Sequence, residues 1–281
     1  MGAVDRVDGV EIASVKSVTK SESMANSSSG AIRLARPRNS TAMLDDAPGL
    51  GREAADQGYL FFRRLVPVAE VLDLRARVLD VCREIGWLDD RVPIAHGVVR
   101  SAAQIGAYDD IWTSLQCRVL PLPEFGRLRE HPTITAILTA IFHGPFLCER
   151  GDTCRVFSPA SRKLTTPPHQ DHFYVRGDTA LWTVWFPLGD CPLELGGLAV
   201  LPGSHHAGLR PHRDENADKQ GIDVGPDFVW VSANYRCGDV LMFNSLTVHR
   251  ALENRTPDCL RISVDFRYQP VEDPENPCGL R

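Results

Sequence analysis

His169, Asp171, His249 and Arg261 are the side chains of this 281-residue chain whose types and spacing could do chemistry together. Two imidazoles and one carboxylate are the ligand set of a non-haem Fe(II) oxygenase centre, with three ligands on one face and the other positions open. Alternate residues of a β-strand point to one side. On a strand through residues 169–175, His169 and Asp171 would therefore grip one ion together, with His249 supplied by a second strand. Arg261, twelve residues beyond His249, offers a planar fork of donors that fits a carboxylate. A dicarboxylate co-substrate such as 2-oxoglutarate would use it.

The pattern His-x-Asp occurs again at His212-Arg213-Asp214, and context separates the two copies. The second lies in a polar run over residues 211–221 without alternation, which reads as a solvated loop. The first follows Pro167-Pro168, which favour extended backbone, and precedes Phe173-Tyr174-Val175, which are strand formers. A metal needs ligands on rigid elements, so the first copy is the metal candidate.

Those elements can be read from periodicity. Val71, Leu74, Val78, Val81 and Ile85 recur at helical steps, with Pro67 suited to the first turn. A second helix is expected through Ile105, Tyr108, Trp112 and Leu115. A third is expected from Pro132 through Ile134, Ile137, Leu138 and Ile141, with Gly144 as its C-cap. From about residue 152 the texture changes to short strands divided by Gly and Pro turns, at 153–157, 169–175, 180–186, 198–201, 228–231, 240–243, 247–252 and 260–268. Short strands in that number predict a sandwich or jelly roll. Helices that precede them predict a layer buttressing one outer face. The last strand carries Ile262, Val264 and Phe266 on one face, and Arg261, Ser263, Asp265 and Arg267 on the other. A wholly polar inner face would line a cavity for a charged co-substrate.

Residues 1–45, rich in Ser, Val and Lys and without a sustained period, are expected to be a disordered tail, and residues 46–281 a single domain. A net charge of -5 argues against a nucleic-acid-binding face. No apolar run approaches the roughly 18–20 residues of a membrane span, and the start lacks the apolar core of a signal peptide. The eight cysteines include no Cys-x-x-Cys pair, so they read as small buried thiols in a reducing compartment. A cytoplasmic enzyme acting on a small-molecule substrate is the expectation, with its oligomeric state open.

Taken in order, Gly58-Tyr59-Leu60, Pro168-His169-Gln170-Asp171, Trp185 leading to Gly196-Gly197-Leu198, Leu201-Pro202-Gly203-Ser204-His205, Gly238-Asp239-Val240, His249 and Arg261 resemble the phytanoyl-CoA dioxygenase family of Fe(II)/2-oxoglutarate oxygenases. The similarity covers roughly residues 55 to 270. It implies a double-stranded β-helix (a cupin-like jelly roll) in which His169, Asp171 and His249 hold iron and Arg261 binds the far carboxylate of 2-oxoglutarate. It also implies a hydroxylase that consumes O2 and 2-oxoglutarate, releases succinate and CO2, and oxidises a C–H bond of a small organic substrate. Asp171 speaks against halogenation, because halogenating relatives carry a small residue there. Thr183 and Trp185 share a strand face and either border the co-substrate pocket or pack in the core.

Two features differ from the family's pattern. Ala251 stands where members often carry a serine, and the interval from His249 to Arg261 is one residue longer than usual, which leaves Arg267 as a second candidate for the carboxylate. Ser204 lacks the flanking glycines of a nucleophile elbow, so its segment reads as a turn with His205 and His206 at the rim. A non-oxygenase metal-dependent cupin, an isomerase or lyase, is the alternative, and in it Arg261 has no clear role.

Overall fold

Alternation along one long strand sets the architecture. The computed structural model describes residues 5–7, 10–13, 32–100, 105, 110–148, 151–159, 165–175, 179–212 and 221–271. Within it β12 (Arg261–Pro270) joins a six-stranded antiparallel sheet. The order is β4 (Tyr59–Phe62), β10 (Val240–Asn244), β7 (Trp182–Pro187), β12 and β5 (Phe146–Cys148), and β6 (Thr153–Phe157) pairs with the first half of β12. The outer face presents Leu60, Phe62, Val184, Phe186, Met242, Val264 and Phe266 to the helices in one apolar core. Those helices are α2 (Val68–Ile85), α3 (Asp110–Val119), α4 (Pro123–Arg129) and α5 (Pro132–Phe142). Phe125 of α4 meets Phe266 edge-on, with centroids 4.9 Å apart, a geometry that adds about 0.5–1.5 kcal/mol to simple burial.

The inner face of the same sheet, with Tyr59, Phe61, Trp185, Leu241 and Phe243, packs on a second sheet through Leu198, Val200 and Val231. That sheet runs β1 (Asp5–Val7), β2 (Val10–Ala13), β3 (Arg33–Ala35), β9 (Val229–Val231), β8 (Leu198–Val200) and β11 (His249–Ala251). Two sheets packed face to face, with helices on the outside of one, make the jelly roll and its buttress. Helix α1 (Ala47–Gln57) leads into β4 through Gly58 at φ 71°. A Cβ there would lie 2.3 Å from His205 Nδ1, so the turn needs glycine.

Several boundaries differ from the expectation. The third helix ends with His143 at φ 55° as its C-cap, one residue before Gly144. The second helix begins at Asp110, so Ile105 lies ahead of it although buried, and Tyr108 lies outside the described residues. The predicted tail runs too far. Arg33–Ala35 pairs with β9, and Leu34, Ala35 and Ser40 are buried, because an open edge of β9 would otherwise present unpaired backbone groups. Residues 14–31 lie outside the described residues.

The segment after His169 is not a strand. Only His169 bridges to β11, and Asp171–Val175 forms a short helix, α6. The strand propensity of Phe173-Tyr174-Val175 yields to the hydrogen bonds from His172 N to Ser245 O and from Phe173 N to Gln170 O. Seven cysteines are free among the described residues, and burial pushes the Cys82 and Cys191 thiols up to about 12. No helix among the described residues is long and apolar enough to cross a membrane.

Candidate metal centre

His169 and His249 are brought together by backbone. The His169 N–H donates to the His249 carbonyl at 2.9 Å and the His249 N–H returns the bond at 3.0 Å. Residues exchanging both bonds across an antiparallel pair stand directly opposite, with side chains on one face. Here the two imidazole centroids are 4.1 Å apart. Each ring turns its Nδ1 to a carbonyl two residues upstream, His169 to Pro167 O at 2.8 Å and His249 to Thr247 O at 3.0 Å. A carbonyl accepts only from N–H, so both Nδ1 atoms carry the proton and both Nε2 lone pairs are left for a metal. Burial, then the neighbouring His249, pushes the His169 imidazole down to about 4, which keeps it neutral and able to ligate.

Asp171 completes the cluster by a different route from the one its spacing suggested. The chain leaves the bridge at Gln170 and turns into α6, and the turn swings the Asp171 carboxylate beneath the two rings. Asp171 Oδ1 lies 3.5 Å from His249 Nε2 and 3.7 Å from His169 Nε2. One ligand atom from each residue falls within 4.8 Å of the others, and all three residues are buried. The carboxylate is clamped from behind. Thr183 Oγ1 donates to Oδ2 at 2.5 Å, while Arg267 reaches Oδ2 through Nε at 3.3 Å and Oδ1 through Nη2 at 3.4 Å. Burial works to raise this carboxyl, but the Arg267 guanidinium beside it holds it well below the usual carboxylate range. It therefore stays anionic, as a metal ligand would need to be.

Arg261 opens into the same cavity as the three candidate ligands, together with Arg155, Thr166, Phe243, Asp265 and Arg267. It is 2% exposed, its guanidinium lies 4.2 Å over the Phe157 ring, and Nη1 donates to Ser263 Oγ at 2.7 Å. Its Nε has no partner, and no carboxylate among the described residues pairs with it. Burial lowers it to about 10. The nearby acid, Asp265, is engaged by Arg155 instead. A buried cation without a counter-ion is costly, and it suits an incoming carboxylate. The donor set and this orphaned guanidinium together fit Fe(II) and 2-oxoglutarate.

The other candidates separate cleanly. Thr183 is at the site but is committed to Asp171. Trp185 is fully buried, packs edge-on to Tyr235 at 4.9 Å and does not line the cavity. Arg267 is committed to Asp171 and, through Nη1, to the Gly151 carbonyl. Ser204 Oγ donates to Leu201 O and accepts from Val248 N, while His205 and His206 bond the carbonyls of Ala55 and Asp56, so this group is a structural turn. Ala251 lines the cavity. The segment before Arg261 forms a loop that Asn254 closes on Thr256 N and Cys259 O.

The sequence reading missed two features. Gln170 ties three loops, donating to Gly208 O and Leu246 O and accepting from Arg210 N. Arg155 pairs with Asp265 inside the cavity, through a β6–β12 register that sets it opposite Ser263 and that the sequence does not reveal. His212 is less solvated than expected. It stacks on Phe173 at 3.9 Å and accepts the Gln170 N–H at 3.3 Å, whereas Arg213 and Asp214 lie outside the described residues.

The chain is similar to known proteins over most of its length. The family model for phytanoyl-CoA dioxygenase (PhyH) matches residues 54–263. The 1-deoxypentalenic acid 11-beta-hydroxylase of Streptomyces arenae is 26% identical over 254 residues, covering 82% of this chain and 84% of that protein. Human peroxisomal phytanoyl-CoA dioxygenase is 26% identical over 237 residues, covering 77% of this chain and 68% of that protein. Among solved structures, the epimerase SnoN in complex with Fe3+, alpha ketoglutarate and nogalamycin RO superposes with a TM-score of 0.58 at 20% identity, covering 81% of this chain and 84% of that one. At that identity the likeness speaks to the fold.

Proposed function

Because the chain belongs to the phytanoyl-CoA dioxygenase family, we infer that it is an Fe(II)/2-oxoglutarate-dependent dioxygenase, and we propose that His169, Asp171 and His249 hold the iron while Arg261 holds the far carboxylate of 2-oxoglutarate. The reaction class is hydroxylation of a C–H bond in a small organic molecule, with release of succinate and CO2. The single observation that carries the residue assignment is that one cavity holds two imidazoles with free Nε2 atoms, one clamped carboxylate and one buried guanidinium without a counter-ion among the described residues. A non-oxygenase cupin would leave Arg261 buried to no purpose.

When bound, Fe(II) supplies the activation of O2 by two-electron oxidation of the co-substrate; the protein's share is binding, orientation and exclusion of water. The Pro167 and Thr247 carbonyls fix the tautomer and ring plane of each histidine. Thr183 and Arg267 hold the Asp171 oxygens, so the carboxylate cannot rotate away from the ion. Phe243, whose ring lies 4.4 Å from that of His249, forms an apolar wall beside the ligands. Arg261 anchors the co-substrate by its remote end, which leaves the opposite end for chelation and fixes its approach.

Anaerobic mixing of the full chain with Fe(II) and 2-oxoglutarate tests this reading. A visible metal-to-co-substrate charge-transfer band that is lost in His249→Ala is the expected result. A fully folded protein that binds neither Fe(II) nor 2-oxoglutarate would overturn it. A succinate-release screen across compound classes then identifies the substrate.

A further inference from the structure

A second cavity, of about 440 Å3, shares no lining residue with the metal cavity. It lies where β4 ends and β10 begins. Arg63 and Arg64 follow β4 and Asp239 precedes β10, whereas Phe243, four residues along, lines the metal cavity. Between the two the barrel is filled by Phe61, Trp185, Tyr235 and Leu241, none more than 1% exposed. These packed side chains separate the second cavity from the candidate metal site.

The lining is strongly cationic. Arg36, Arg63, Arg64 and Arg236 line it with Asp239 as the one acid among the lining residues, in a chain of net charge -5. Asp239 is fully buried and committed: it accepts the Arg64 N–H at 3.0 Å, the Arg236 N–H at 2.8 Å and the Arg63 guanidinium. One carboxylate thus fixes the backbone of two loops at the points where they carry arginines. Arg64 is held at φ 50°, a conformation that favours glycine. The guanidiniums of Arg64 and Arg236 are exposed and have no carboxylate partner among the described residues. Like charges gathered in one concavity repel unless an anion joins them, and a concave cationic lining concentrates anions from solution.

We propose that this cavity binds a phosphorylated small molecule by its phosphoryl groups, at a site separate from the reaction centre. Planar guanidinium forks match phosphoryl oxygens two at a time, and the volume falls within the range of small-molecule sites. No aromatic ring lines it, so the anion rather than a base is the recognised part.

Calorimetric titration of the full chain with inorganic pyrophosphate tests the proposal, with no metal added because pyrophosphate chelates Fe(II). One pyrophosphate per chain is expected, with affinity at least about tenfold weaker in Arg64→Gln/Arg236→Gln, since charge-assisted pairs dominate such recognition. Arg261→Leu, in the other cavity, should bind pyrophosphate as the parent does. No binding by the parent, a loss smaller than tenfold in the double variant, or a loss in Arg261→Leu instead would overturn the proposal, the last by placing the anion in the metal cavity. If the double variant does not fold, Arg236→Glu alone carries the same test.

Discussion

The two faces of β12 are one strand with opposite obligations. Ile262, Val264 and Phe266 point into the helices and are at most 2% exposed, while Arg261, Ser263, Asp265 and Arg267 point into the barrel and are at most 4% exposed. Both faces are buried, so burial alone does not separate them. The outer face satisfies itself by packing. The inner face must be satisfied by partners, and it is satisfied unevenly: Arg267 has Asp171, Asp265 has Arg155, and Arg261 has, among the described residues, Ser263 and a ring. The difference teaches where function sits. Stability is concentrated on the side that packs, and the unmet demand on the other side marks where a ligand belongs.

Removing the candidate metal ligands that face the same cavity should have the largest effect. His169→Ala, Asp171→Ala and His249→Ala are each expected to abolish turnover and Fe(II) binding while circular dichroism stays unchanged, because a facial site missing one ligand holds the ion poorly. Retained, stoichiometric iron in any one of them would remove that residue from the centre.

Arg261→Leu should come next, and it sharpens the comparison because its two consequences have opposite signs. Losing the partner of a buried carboxylate costs about 3–5 kcal/mol, a rise of roughly two to four decades in the 2-oxoglutarate requirement. The ligand-free protein, relieved of an uncompensated buried cation, should melt no lower than the parent. Titration of succinate release against 2-oxoglutarate, beside thermal melts, reads both. A larger rise in the 2-oxoglutarate requirement in Arg267→Leu, with Fe(II) binding retained, would move the anchor six residues along the strand.

Phe266→Ala attacks the other face. Removing a fully buried phenylalanine typically costs about 3–5 kcal/mol of stability, yet the charge-transfer band of the molecules that remain folded should be intact. Loss of the band at temperatures where the variant is still folded would mean that the two faces are not separable.

What could be read from residues alone follows the same division. The helix stripes and the alternation of β12 are periodic, and periodicity reports which side is apolar; hence the buttress, the jelly roll and the polar face of the last strand were all foreseeable. The iron candidates were foreseeable as residue types. Their geometry was not, because Asp171 reaches the histidines from the first turn of α6, and that turn depends on a bond to Ser245 far along the chain. The partner of Arg267 was hidden for the same reason: an arginine on a polar strand face could anchor a co-substrate or clamp a ligand, and only the position of Asp171 decides. Arg33–Ala35 looked like tail because three residues carry no period, and their place is set by the edge of β9.

The smallest expected effect concerns the second His-x-Asp copy, which sharpens the contrast between a ligand and its neighbour. His212 accepts the Gln170 N–H at Nε2 and turns Nδ1 to the Arg210 carbonyl at 3.0 Å, so its ring is committed to holding backbone beside the site. His212→Ala removes one hydrogen bond and one ring stack, a loss of about 0.5–1.5 kcal/mol in stability. Iron binding and the 2-oxoglutarate requirement should stay as in the parent. Burial lowers the His212 imidazole from its usual 6.5, so the folded protein prefers the neutral ring. The contribution is present above that value and is lost as pH falls below it, when the unfolded chain takes up the proton more readily. Melting temperatures of parent and variant measured from pH 8 down to pH 5 should therefore converge on the acid side. A constant gap across that range would show that the Gln170 bond does not depend on the neutral ring, and a fall in iron affinity would show that this histidine does more than support the ligands from behind.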